Sequence, residues 1–159
     1  MAQRFIYPKE FIKDTLIEKI GKIIHVDAYL SFLLICSGIE FLGKCIDSTE
    51  KWEEGNSGEQ FKTAIIKLFP DGYHNLVNDL YKDLRCGLVH RIIPGSISLT
   101  QNGNDNDGEI PYRLHPYLKD NKKILVIEYF YFDFVEACKK VLAMNFNENK
   151  MTKPMLSVG

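Results

Sequence analysis

The chain has 159 residues, 45% of them hydrophobic and 26% charged, with a formal net charge of -1. This is the composition of an ordinary globular domain, not of a low-complexity or fibrous chain. So little net charge excludes the basic footprint of a protein that grips duplex nucleic acid nonspecifically by neutralising many phosphates, and leaves room only for a small local basic patch.

A chain of this length can bury about 70% of its unfolded surface, enough for one real core. Cys36, Cys45, Cys86 and Cys138 form no C-x-x-C pair, and all four fall in predicted helices. Neither a zinc site nor a disulfide framework is expected. Free thiols packed as small hydrophobes in a reducing compartment fit better. The start "MAQRFIYPKEF" lacks the apolar stretch of a signal peptide. The most apolar window, "AYLSFLLICSGIEFLG", is interrupted by Ser31, Ser37 and Glu40 and reads as too short and too polar for a membrane span. A cytoplasmic protein without membrane contact is the expectation.

In chain order, Pro8 suits a first helical turn, and Phe11, Ile12, Leu16, Ile20 and Ile23 repeat at helical spacing, predicting a helix that ends near residues 21–24. Asp27 caps a second helix running to about Ile46, apolar nearly all round, which belongs at the centre of a bundle. "DSTEKWEEGNSGE" is a polar connector in which Ser57 and Gln60 have capping-box spacing for a third helix, "GEQFKTAIIKLF". Pro70, Asp71 and Gly72 make a turn. A fourth helix is predicted from about Tyr73 to His90, with Val77, Leu80, Tyr81, Leu84 and Leu88 on its core face. The predicted mutual core joins Phe32, Leu33, Ile35, Ile39 and Leu42 to Leu80, Leu84 and Leu88.

After Pro94 and Gly95 the period changes. "SISLTQ", "YRLHPY" and "KKILVIEY" read as three strands of a small antiparallel insertion, at about 96–129, with "NGNDNDGE" a polar loop. That loop fails the calcium pattern, because Gly103 and Leu114 stand where acidic ligands are required. Asp133 or its neighbourhood opens the last helix, "FDFVEACKKVLAMNF". Residues 1–146 form one domain, and 147–159 read as a loose tail.

Few motifs carry chemistry. His25, His74, His90 and His115 lack the i, i+4 spacing of a helical metal pair, and neither a phosphate-cradling glycine loop nor a nucleophile elbow occurs. No metal and no cofactor are expected. Cys86 beside Arg85 is more readily a packed thiol than a nucleophile, with no base in evidence. Glu40 lies inside the most apolar helix, where a carboxylate needs a partner. Arg85 is the favoured one.

The stretch "RCGLVH", with Arg85 and His90 in R-x4-H spacing, ends the fourth helix of a helical frame whose second helix carries "GIEFLG". In this it resembles the HEPN superfamily over roughly residues 26–146, with the strands as an insertion before the last helix. The resemblance implies a mainly α, up-and-down helical bundle. It also implies a metal-independent endoribonuclease of single-stranded RNA, often a homodimer that brings two motifs to one cleft. Arg85 and His90 would be the catalytic residues, with Glu40 in support. Cys86 stands where many active members carry a polar residue, often Asn. The alternative is a non-catalytic module of the same fold that binds a nucleotide, RNA or a protein partner.

Elementary helix geometry sets a condition on this motif. Five residues are about 140° on an α-helix, so Arg85 and His90 would not share a face. Either the helix unwinds after Gly87, a poor helix former, or a second chain supplies the partner residue across a two-fold axis. Given convergence, His90 could move the 2′-OH or leaving-group proton and Arg85 could hold the phosphate charge. Otherwise Arg85 is the ion-pair partner of Glu40 and His90 merely complements the helix C-terminus.

Overall fold

The computed structural model describes residues 5–105, 108–151 and 155–156. The described residues are mainly helical, with five helices and a small three-stranded sheet. Helix α1 (8–23) starts with Pro8 at its first position, widens to π geometry over Ile12–Lys19 and closes at Ile20–Ile23. Helix α2 (Ala28–Ile46) is capped by Asp27, whose carboxylate accepts the Leu30 N–H at 2.9 Å. By length and hydropathy α2 could cross a bilayer. Here half of that apolar stretch is buried inside the protein, and α2 packs against all four other helices.

Helix α3 (Ser57–Leu68) begins one residue earlier than its capping-box spacing suggests. Asn56 is the cap, its side chain accepting from the Gly58 and Glu59 N–H groups, while Gln60 turns inward to Asp47. A 3₁₀ turn, Asp71–Leu76, leads into α4 (77–91), and α5 spans Ile127–Ala143. The predicted core is buried, apart from a half-buried Leu33. Phe61, Ile65, Phe130, Phe134 and Val141 from α3 and α5 complete it.

The insertion differs from the all-antiparallel expectation. Its sheet has the order β2 (Ile97–Thr100), β6 (Lys122–Val126), β5 (Tyr117–Lys119). β5 pairs antiparallel with β6, but β2 runs parallel to β6 with Ile97 opposite Lys123 and Thr100 opposite Val126. A parallel pair needs a long crossover. Residues 101–121 supply it, including the paired β3 (Asn104–Asp105) and β4 (Gly108–Glu109) where only a loop was expected. Asn106 and Asp107 lie outside the described residues. "YRLHPY" contributes only its last residue to a strand, because Tyr112–Leu114 forms a 3₁₀ turn.

Helix α5 starts at Ile127, six residues before the expected start. The β-branched run "ILVI" hides the helical spacing of Ile127, Phe130, Phe134, Ala137 and Val141, all buried. The segment after α5, expected to be loose from residue 147, is tied down through Lys150. Its buried ammonium reaches the Asp47 carboxylate at 3.0 Å, and the Lys150 backbone carbonyl accepts the Trp52 N–H. Farther on, β7 (Met155–Leu156) pairs antiparallel with β1 (Phe5–Ile6), while residues 152–154 and 157–159 of the expected tail lie outside the described residues.

Candidate functional site

The R-x4-H stretch ends α4, and that end is not α-helical. π geometry runs over Leu80–Arg85 and again over Gly87–Arg91, with the Ile92 N–H donating to the Gly87 carbonyl, five residues back. When bonds run over five residues instead of four, positions five apart come to lie about one turn apart. Over such turns five residues diverge by less than the roughly 140° of an ideal α-helix; Arg85 itself faces Glu40, while His90 is exposed.

Gly87 has a direct steric reason. The chain folds back over it as the helix ends, so that a Cβ would stand 2.4 Å from the Ile93 carbonyl oxygen and 3.2 Å from the Pro94 Cα. The helix does not unwind at Gly87; it continues to Arg91 and stops at Ile92. Ile92 is left-handed at φ 60°, an unusual conformation for a β-branched residue. Its carbonyl accepts the Tyr29 hydroxyl at 3.1 Å, which binds this turn to the start of α2.

Arg85 and Glu40 form the expected ion pair. Nε and Nη2 of Arg85 both donate to one Glu40 carboxylate oxygen, at 3.0 and 2.8 Å, and each side chain is 18% exposed. The guanidinium also lies over the Tyr81 ring, with Nη1 3.9 Å from the Cys86 sulfur. Burial would lower the Arg85 pKa, but the Glu40 hydrogen bonds and charge outweigh it and hold the guanidinium firmly cationic. Cys86 is half-buried. Cys36, Cys45 and Cys138 are free and buried, and burial pushes the Cys45 thiol up to about 12, so it is not an activated nucleophile. His90 projects into solvent. Around it, Val89, Ile92 and Ile93 are exposed at 43%, 70% and 64%, an apolar rim on a helix end that carries His90 and Arg91.

A second polar cluster was not legible as a site. Asp133, on the buried face of α5, accepts the Tyr73 hydroxyl on one oxygen and the Tyr112 hydroxyl on the other, both at 2.5 Å. His115 stands 2.9 Å from the Tyr73 hydroxyl through Nδ1, and its Nε2 accepts the Val126 N–H at 3.0 Å. With Nε2 committed as an acceptor, neutral His115 carries its proton on Nδ1. The bonds then run in one direction, from Nδ1–H to the Tyr73 oxygen and from its O–H to Asp133. Burial, reinforced by the Asp133 charge, raises the Tyr73 pKa far above that of a free phenol and keeps it a donor. The arrangement satisfies a buried carboxylate and pins the β insertion to α5 and to the turn before α4. Asp133 reads in the sequence as a helix opener. Its place on the buried face, between Phe130 and Phe134, was the available signal.

Among the described residues, no group of three or more His, Cys, Asp or Glu side chains is placed to hold a metal ion. Compared with protein-family models, with curated proteins and with solved structures, the chain matches none.

Proposed function

We propose that the chain is a HEPN-like, metal-independent endoribonuclease acting on single-stranded RNA, with Arg85 and His90 as the catalytic residues and Glu40 as the support that orients Arg85. The observation that carries this reading is the π-widened end of α4. Such turns lessen the roughly 140° that separates positions five apart on an α-helix, which supports a shared role for the two residues, and His90 is exposed to solvent. Glu40 engages only Nε and Nη2 of Arg85. Nη1, in contact only with a weakly accepting sulfur, is the edge that meets a phosphate oxygen.

In the reaction the RNA 2′-oxygen attacks the adjacent phosphorus and the P–O5′ bond breaks. The products are a 2′,3′-cyclic phosphate and a free 5′-OH. A neutral imidazole takes the 2′-OH proton and a protonated one donates to the leaving oxygen. One His90 serves one of these steps, so a homodimer, bringing a second His90 across a two-fold axis, serves both. The exposed apolar residues Val89, Ile92 and Ile93 suit such a contact. We place the protein in the cytoplasm. Cleavage of a single-stranded RNA in the presence of EDTA, and its loss when the scissile nucleotide is 2′-deoxy, is the test.

The second reading is a non-catalytic module of the same fold that binds a nucleotide, RNA or a protein partner. The Arg85–Glu40 pair favours it, since both residues then have a purely structural role, and the apolar rim becomes the surface for a protein partner.

A further inference from the structure

Between the start of α2 and the end of β2 lies a cavity of about 380 Å³, lined by Ala28, Tyr29, Phe32, Leu99, Thr100 and Gln101. Its size falls within the range of about 300–1,000 Å³ usual for small-molecule sites. The walls combine two aromatic side chains, Tyr29 and Phe32, with the aliphatic Leu99 and the polar Thr100 and Gln101. Tyr29 is half-buried and held by its hydroxyl to the Ile92 carbonyl, two residues beyond His90. Gln101 is exposed, and its amide has no hydrogen-bond partner among the described residues. The turn that carries it is fixed from behind, because the Asn102 N–H donates to the Glu128 carboxylate at 2.8 Å.

We propose that this cavity is a nucleobase subsite that prefers adenine. Single-stranded RNA is recognised by splaying bases onto aromatic side chains and reading their edges with amides. Tyr29 supplies the stacking face. Gln101 supplies a donor and an acceptor on one planar group, the pair that matches N7 and the N6 amino group of adenine. The Tyr29–Ile92 hydrogen bond couples the subsite to the α4 terminus, so a base held here places its own backbone beside His90. The subsite's role in choosing a cleavage point rests on the ribonuclease reading; its binding of a base does not.

The test titrates the full-length chain with AMP and with UMP by calorimetry and maps the cleavage sites on a single-stranded RNA of mixed sequence. AMP should bind more tightly than UMP. Tyr29→Ala should weaken AMP binding about 5- to 150-fold, the worth of one base–aromatic stack, while Tyr29→Phe should retain it. Gln101→Ala, in an exposed turn where folding is not at risk, should leave AMP and UMP bound equally. If AMP fails to bind, or if Tyr29→Ala and Gln101→Ala bind both nucleotides as the parent does, the subsite falls, whether or not RNA is cut. If the expected binding pattern appears and no RNA is cut, the subsite stands and the ribonuclease reading falls.

Discussion

Replacing Gly87 with Ala should destabilise the protein, against the rule for helical glycines. In an open helix that change gains about 1 kcal/mol, because glycine gives up more backbone entropy on folding. Here the added methyl meets backbone, not a flexible side chain: the Ile93 oxygen at 2.4 Å, the Pro94 Cα at 3.2 Å and the Ile93 carbonyl carbon at 3.4 Å. The Ile92 and Ile93 N–H groups both donate to the Gly87 carbonyl. The returning chain therefore cannot move off without loosening those bonds. Overpacking of this kind costs about 1–3 kcal/mol, so the net expectation is a loss of up to about 2 kcal/mol in place of the usual gain. In a chain of this size that lowers Tm by roughly 2–4 °C per kcal/mol. Urea unfolding followed by circular dichroism measures it directly. A Gly87→Ala protein more stable than the parent, as an open-helix glycine would give, would refute the fold-back of residues 92–94 over α4.

Three further outcomes follow from the packing and the charges. Leu84→Ala, at a fully buried position, should cost about 2–5 kcal/mol in denaturant unfolding, and a loss under about 0.5 kcal/mol would misplace the inner face of α4. Tyr73→Phe should cost about 1.5–3 kcal/mol in the same assay, since it removes a hydrogen bond to buried Asp133 and strands the His115 donor. In Asp47, burial raises the pKa but the hydrogen bonds from Thr49, Gln60 and Lys150 prevail and hold it below the usual carboxylate range. A depressed folded pKa adds stability above the unfolded value, about 3.9, that is lost as pH falls through the folded one. Asp47→Asn should therefore flatten the decline of the urea midpoint below about pH 4, and an unchanged acid decline would count against the Lys150–Asp47 anchor.

The helices were legible where one periodicity acted alone. The 3.6-residue spacing on α1, α2 and α4 and the Asp27 cap are local signals, and they survive into the fold. The failures have common physical causes. "KKILVIEYFYF" contains two overlapping patterns, a β-branched run and a helical stripe, and only the packing of Phe130 and Phe134 into the bundle decides between them at Ile127. The parallel pairing of β2 with β6 depends on a crossover whose path no local residue preference dictates. Lys150 and Asp47 are 103 residues apart, so the anchor of the C-terminal segment had no sequence signature. At the candidate site, the Arg85–Glu40 pair was inferable because a carboxylate in an apolar helix requires a partner. The π turns were not, since nothing in "LYKDLRCGLVHR" distinguishes them from an α-helix. Asp133 was misread for want of the very argument applied to Glu40.

Whether His90 does chemistry or only complements a helix end is decided by one paired measurement on His90→Ala: cleavage of single-stranded RNA together with Tm. As an exposed helix-end residue, His90 contributes at most about 0.3–1 kcal/mol to stability through the helix dipole. Loss of a general acid–base lowers the rate by about 10²–10⁴. A catalytic His90 gives a cleavage rate reduced to that extent with Tm changed by no more than a few degrees. Cleavage at the parent rate by His90→Ala, or a purified parent protein that cuts no RNA and a variant that differs only in stability or partner binding, would contradict it.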